Sequence, residues 1–302
     1  MKKLAFTYVL LLLLIFPGNL TAVDPKILVI NSDASVKRYA VAQAEYISSI
    51  SYPAGLMDLG GRKKTLQEIE DTLYDEYPDL VYCIGTRAYL AANRFLKEKD
   101  IVFSSIINWQ RLPVTERTFG VSNELHPEMH ITLFRYIFPD VEKIGILYSE
   151  KYNGQWVNQA KEQAKAMGVQ IIGNSVAESD QAVTSLKRFV RDIDALWLIS
   201  DPIMSDKKVL MQVFRDCDET KTPIFSYRDA FAKQGAVLIV SVDDATIGRQ
   251  AAGISRNVIA GTVEEKVQYP VGSRIIMNLK KVKEYGLTYE ESSLNSINEI
   301  IE

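Results

Sequence analysis

The run Ala195-Leu196-Trp197-Leu198-Ile199, closed by Ser200-Asp201-Pro202, constrains the fold more than any other stretch. Its apolar residues do not alternate with polar ones. That is the pattern of a central strand covered on both faces in a parallel sheet. Pro202 has no N–H to give to a ladder, so the strand must end before it. Ser200 and Asp201 then fall just past a strand's carboxyl end, the edge at which open α/β sheets bind ligands.

The chain repeats this pattern twice. Residues 26–30, 56–59, 80–84 and 101–107 read as strands. Between them the spacing predicts a helix after Asn31-Ser32-Asp33, with Ser32 or Asp33 as its cap, and helices over 65–77 and 88–96. Leu66, Ile69 and Leu73 form the buried stripe of the second of these. Strands and helices alternating across short loops predict parallel pairing through right-handed crossovers. After a short strand at 119–122 and a helix opened by His126-Pro127, the alternation restarts. Strands are expected at 144–148, 169–172, 195–199, 224–225 and 237–242, with helices over 153–167, 180–191 and 206–220. Asp243-Asp244 cap a further helix ending at Ala260, in which Gly248, Ala251, Ala252 and Gly253 allow a close neighbour. A strand at 275–279 and short helices complete the chain.

About ten strands approach the limit of one open sheet. The expected fold is therefore α/β, with two Rossmann-like lobes of parallel sheet and a ligand cleft between them. The first lobe is expected over 23–123 and about 243–270, the second over 124–242 and about 271–302. Residues 1–22 read as a secretory signal: Lys2 and Lys3, an apolar run too short to span a bilayer, and a small residue at Ala22. No cysteine lies near Ala22 to carry a lipid anchor. A periplasmic, monomeric protein that does not span the membrane once the signal is removed is expected. The net charge of −3 gives no electrostatic footprint for nucleic acid. Cys83 and Cys217 fall in a strand and a helix and read as buried, unpaired thiols.

The strand ends gather the candidate ligand-binding residues: Asn31 and Ser32, Gly85 and Thr86, Asn108 and Trp109, Ser149 with Tyr152 and Asn153, Ser200 and Asp201, and Tyr227. Parallel strands put the carboxyl ends of each lobe on one rim, and facing rims make a cleft. Gly85-Thr86 opens a helix whose free N–H groups either hold an anion or serve as an ordinary helix start. Asp201 either meets a ligand amine or turns the chain. Trp109 and Tyr152 either stack a ring or a sugar face or are simply core, whereas Trp197 reads as core. Catalytic patterns are missing: the sequence has no phosphate-binding loop, dinucleotide fingerprint or nucleophile elbow. His126 and His130 do not share a helix face, because His126 lies before the helix, so no metal site is expected. The chain reads as a binder with no cofactor, not an enzyme.

Several segments in order resemble the exported substrate-binding proteins of ABC transporters with the type I periplasmic binding fold, the group with tryptophan- and tyrosine-binding members. They are Ile84-Gly85-Thr86-Arg87-Ala88, Phe119-Gly120-Val121-Ser122, the run Phe138-Pro139-Asp140-Val141-Glu142-Lys143-Ile144-Gly145-Ile146-Leu147-Tyr148, Asp194-Ala195-Leu196-Trp197, Gly248-Arg249-Gln250-Ala251-Ala252 and Met277-Asn278-Leu279. The resemblance implies closure over a small polar ligand, amino-acid-like or ring-bearing, and a permease and ATPase as partners. By position it implies ligand contacts from Gly85, Thr86, Ser149, Asn153 and Asp201. Asn108-Trp109-Gln110 departs from the family's Asp-Pro-Val-like segment, so aromatic amino-acid specificity does not carry over directly. A sensing module that presents its ligand to a receptor or histidine kinase is the alternative reading.

Overall fold

The computed structural model describes residues 24–302. The segment read as a secretory signal lies outside the described residues. Two sheets account for the strands. The first holds β1 (Ile27–Asn31), β2 (Ala54–Asp58), β3 (Leu80–Ile84), β4 (Asp100–Ile106), β5 (Thr118–Ser122) and β11 (Val267–Gln268), in the order β11-β5-β4-β3-β1-β2. The second holds β6 (Lys143–Tyr148), β7 (Gln170–Ser175), β8 (Ala195–Leu198), β9 (Ile224–Ser226), β10 (Leu238–Val242), β12 (Ser273–Asn278) and β13 (Glu299–Ile301), in the order β13-β12-β10-β9-β8-β6-β7. Each sheet reverses its strand order beside its first strand, β1 or β6. That reversal opens the crevice in which doubly wound sheets bind ligands.

The apolar run at 195–199 sits where its sequence demands. β8 lies inside the second sheet, paired parallel to both β6 and β9, and all four of its residues are buried. Helices cover both faces. Those joining the strands are α1 (Lys37–Ser49), α2 (Leu66–Glu76), α3 (Thr86–Phe95), α4 (Pro127–Ile137), α5 (Glu150–Ala166), α6 (Ser179–Phe189), α7 (Lys207–Thr220), α8 (Asp244–Ala260) and α9 (Leu279–Tyr285). Cys83 and Cys217 are buried and unpaired, as expected.

Four local expectations are corrected. α1 begins at Lys37 with no side-chain cap. Ser32 instead accepts the N–H of Ala88 at 3.0 Å, and Asp33 accepts the N–H and the hydroxyl of Ser35. Leu66 is 53% exposed, because it opens α2 just after Thr65, which forms a reciprocal capping box with Glu68. β12 runs antiparallel to β10, so the second sheet is mixed. The short edge strands β11 and β13 were not anticipated, since two or three residues carry no periodicity.

α8 returns across the molecule to pack on α1. Tyr46 donates its hydroxyl to Ser255 at 2.9 Å, and Arg249 pairs with Glu45 at 2.6 Å. The approach is closest at Gly248, where a Cβ would lie 2.3 Å from the carbonyl oxygen of Ala42. Backbone cannot swing aside, so a side chain here must part the helices. Gly253, by contrast, faces away from the crossing: its nearest neighbour is an arginine tip 3.7 Å off. Gly248→Val is expected to destabilise by about 3 kcal/mol or more, while Gly253→Ala is expected to stabilise by about 0.5–1 kcal/mol. Urea denaturation of the two variants checks this pair; equal effects would refute the assignment.

Candidate functional site

A cavity of about 580 Å³ opens between the carboxyl ends of the two sheets. That volume suits a small organic ligand. Its aromatic wall comes from the second layer. Trp197 projects from β8, Trp156 from α5 and His130 from α4, with ring centroids of Trp156 and His130 each 5.1 Å from that of Trp197. Trp197 is therefore core, as read, and wall at once: it is 1% exposed and meets Phe134 edge-on at 5.2 Å.

Five charged side chains complete the lining: Arg38 from α1, Glu124 from the link between β5 and α4, Arg228 and Asp229 after β9, and Asp244 at the first turn of α8. Asp229 pairs with Arg274 at 3.7 Å, and the other four have no ion-pair partner within 4.0 Å among the described residues. The ordinary cost of holding charges near a half-enclosed, partly apolar space shows in their carboxyls. Burial pushes Glu124 up to about 7, against a backbone hydrogen bond from Asn108 and the nearby Arg111 charge. Burial raises Asp244 to about 6; Asp229 and Asp243 add to the rise, and Arg38 and Arg274 oppose it. Burial among aromatic rings holds His130 down at about 3, so its imidazole is neutral at ordinary pH.

The residues singled out from strand ends divide into three groups. Asn153, Ser200 and Tyr227 line the main cavity. Asn108, Ser200, Asp201 and Tyr227 line an adjoining cavity of about 420 Å³. The others lie outside both. Asn31 is fully buried and engaged with Gln43 and with the N–H of Asp33. Gly85 has a φ of 84°, and a Cβ there would strike the Ser32 hydroxyl at 2.7 Å. Ser32 thus fills the space over the α3 start, next to an exposed Thr86. Trp109 packs inward on Phe103, with centroids 5.9 Å apart. Its ring faces the first core and is not placed to stack in the cavity.

Asp201 has its hydrogen-bonding capacity taken up within its own layer. It accepts from the N–H groups of Ile203 at 3.0 Å and Ser149 at 2.9 Å, and from the side-chain amide of Asn153. It turns the chain after β8 and ties that turn to the start of α5. Two contacts then bridge the layers. Asn108 donates to the Ser200 hydroxyl at 3.1 Å, and the Arg111 guanidinium lies 4.7 Å from the centre of the exposed Tyr152 ring. These groups form a rim of direct contacts beside the cavity.

Sequence reasoning missed Arg38, Glu124, His130, Trp156, Arg228 and Asp244 as lining residues. Glu124 and Asp244 had a readable signal, since both lie where the chain passes from a strand of one sheet to a helix of the other layer. Such crossings border the cleft by construction.

A profile of the ABC transporter substrate binding protein family matches residues 56–301. A search of curated proteins finds no match. Among solved structures, the chain is similar to a ligand-free, open substrate-binding protein with adhesive properties from Clostridium difficile. The TM-score is 0.71 at 16% identity, over 92% of this chain and 99% of that one. It is also similar to an ABC domain from Streptococcus pneumoniae in complex with L-Trp, with TM-score 0.57 and 18% identity over 91% and 100% of the chains. A conserved domain protein from Vibrio cholerae matches with TM-score 0.57 and 17% identity over 92% and 99%. No helix among the described residues is long and apolar enough to cross a membrane. The two mostly parallel sheets with a cavity between them are the type I periplasmic binding fold, and the chain belongs to the ABC transporter substrate-binding protein family.

Proposed function

We propose that this protein captures a small, ring-bearing, amino-acid-like ligand between two lobes and delivers it to an ABC permease and ATPase in the periplasm. The first lobe takes in residues 23–123 and about 243–270, the second residues 124–242 and about 271–302. One observation carries the reading. A single cavity joins an aromatic wall to two arginines and two carboxylates that have no ion-pair partner among the described residues. A zwitterion with a ring satisfies all of these groups together; a neutral sugar leaves the charges unmatched and desolvated. Arg38 and Asp244 approach from the side of α1 and α8, Arg228 and the aromatic rings from the second layer. Only a closed arrangement brings both sets onto one ligand, so ligand shifts the population toward closure.

The test is thermal melting against amino acids, nucleosides and sugars. An aromatic amino acid at a hundred times its Kd is expected to add about 2.7 kcal/mol of stability. Tryptamine and indole-3-propionate, each lacking one charge of tryptophan, are expected to bind at least ~10-fold more weakly, the loss of one charge-assisted contact. Shifts confined to sugars or nucleosides would overturn the reading.

A further inference from the structure

His130 occupies a position that packing alone does not explain. It is 5% exposed, on the first turns of α4, and its ring lies against Trp197 and Phe134 at centroid distances of 5.1 and 5.7 Å. Its Nδ1 is buried with no hydrogen-bond partner among the described residues. A phenylalanine or leucine would fill such a space without leaving a polar atom unmatched. A buried polar atom without a partner is costly, and the cost is recovered when a partner arrives. The ring also lines the cavity, beside Trp156 and Trp197. Nε2 makes no hydrogen bond among the described residues either and is not sealed as Nδ1 is, so it is the imidazole nitrogen that a ligand in the cavity can reach.

We infer that His130 is a specificity-determining residue, one that selects ligands whose ring carries an N–H or O–H over ligands whose ring is bare hydrocarbon. This deepens the ring-bearing reading above and rests on it. Burial keeps the imidazole neutral, so it offers one donor and one acceptor nitrogen at once. It can thus accept from an indole N–H or exchange a hydrogen bond with a phenol. A bare phenyl ring leaves the imidazole unmatched inside a desolvated wall, which is the situation in which hydrogen-bonding sites discriminate most strongly. Trp156 and Trp197 supply stacking that all aromatic rings share. His130 supplies the discrimination.

The experiment uses ligand pairs that differ at the ring alone. Titration calorimetry on the wild-type protein would compare tyrosine with phenylalanine, and indole with 1-methylindole. The second pair has no charged head group, so it reads the ring subsite even if the zwitterion reading fails. A preference of ~10-fold or more for tyrosine and for indole is expected. In His130→Phe the ratios should collapse toward one while phenylalanine binding persists. His130→Gln, which keeps a donor and an acceptor, should restore part of the preference. Equal binding within each pair by the wild type, absence of indole binding at millimolar concentration, or a preference that survives in His130→Phe would each overturn the assignment. If indole is selected and no amino acid binds, His130 stands and the head-group reading falls.

Discussion

Replacing Trp197 by alanine is expected to remove about 3–5 kcal/mol of stability. It should also abolish ring recognition. The residue is 1% exposed on β8, and its indole is held by three rings, those of His130, Phe134 and Trp156. Truncation removes the transfer free energy of the indole and leaves a hole among side chains that pack on other neighbours and cannot collapse into it. Phe134 rests on Phe225 at 4.7 Å, and Phe225 in turn stacks on Phe138 at 5.4 Å. Loss of Trp197 therefore loosens both the second core and the cavity wall. Trp197→Phe, which keeps a ring, is expected to cost less than half as much. Chemical denaturation gives the stability term and calorimetry the binding term. A loss under about 1 kcal/mol for the alanine variant would show that the site collapses readily and that Trp197 does not organise it.

The second large effect is a pH dependence set by Glu124. Its folded pKa of about 7 lies above its ordinary value of 4.5. Between those values the folded protein holds a proton that the unfolded chain has released. The contribution is thus fully present below pH 4.5 and is lost as pH rises through 7, on the order of 3 kcal/mol in all. Arg111 and the Asn108 N–H temper the rise, and Tyr227 and Tyr269 both lie close enough to feel the carboxylate. Asp244, raised to about 6, acts in the same direction at lower pH. His130 acts oppositely. Its folded pKa of about 3 lies below its ordinary 6.5, so its contribution is lost as pH falls through that window. The wild-type profile alone would mix these terms. The difference between wild type and Glu124→Gln at each pH isolates Glu124, and it should fall steadily from pH 4.5 to 7. A flat difference would refute the buried carboxyl. A bound amine is expected to hold Glu124 ionised, so that ligand affinity tightens as pH rises from 5 to 8 and does so less in Glu124→Gln.

The architecture was legible because each strand carries its own signal. The unbroken apolar run of β8 and the turn residues that close β1, β3 and β4 needed no tertiary information. The edge strands did: β11 and β13 are ordered by partners far away in sequence, and the antiparallel setting of β12 is a matter of which way the chain re-enters the sheet. The site was harder for a related reason. Polar residues after parallel strands have two masters, the ligand and the chain's own turns. Asn31, Ser32 and Asp201 serve the second. Their side chains satisfy nearby backbone N–H groups at about hydrogen-bond distance, a role favoured by the same short polar chemistry that made them candidates. Other residues that line the cavity, Arg38 and Trp156 among them, project from helices. Their helical spacing says which face is apolar but not which neighbouring layer that face meets.

The chain passes between its two sheets three times, after β5, after β10 and after β11. Neither sheet is therefore made from one contiguous stretch. β5 stays an unpaired edge on one side until Val267 and Gln268 exist to join it, and α8 reaches α1 only after some 200 residues have intervened. A protein truncated near residue 242 would own a second sheet without its outer strands and a first layer without the helix that covers α1. The connectivity that sets a cavity astride three strands of backbone also makes each half depend on residues beyond 242. Neither half can complete its fold until the residues beyond 242 have been made, so the two halves finish folding together and not one after the other.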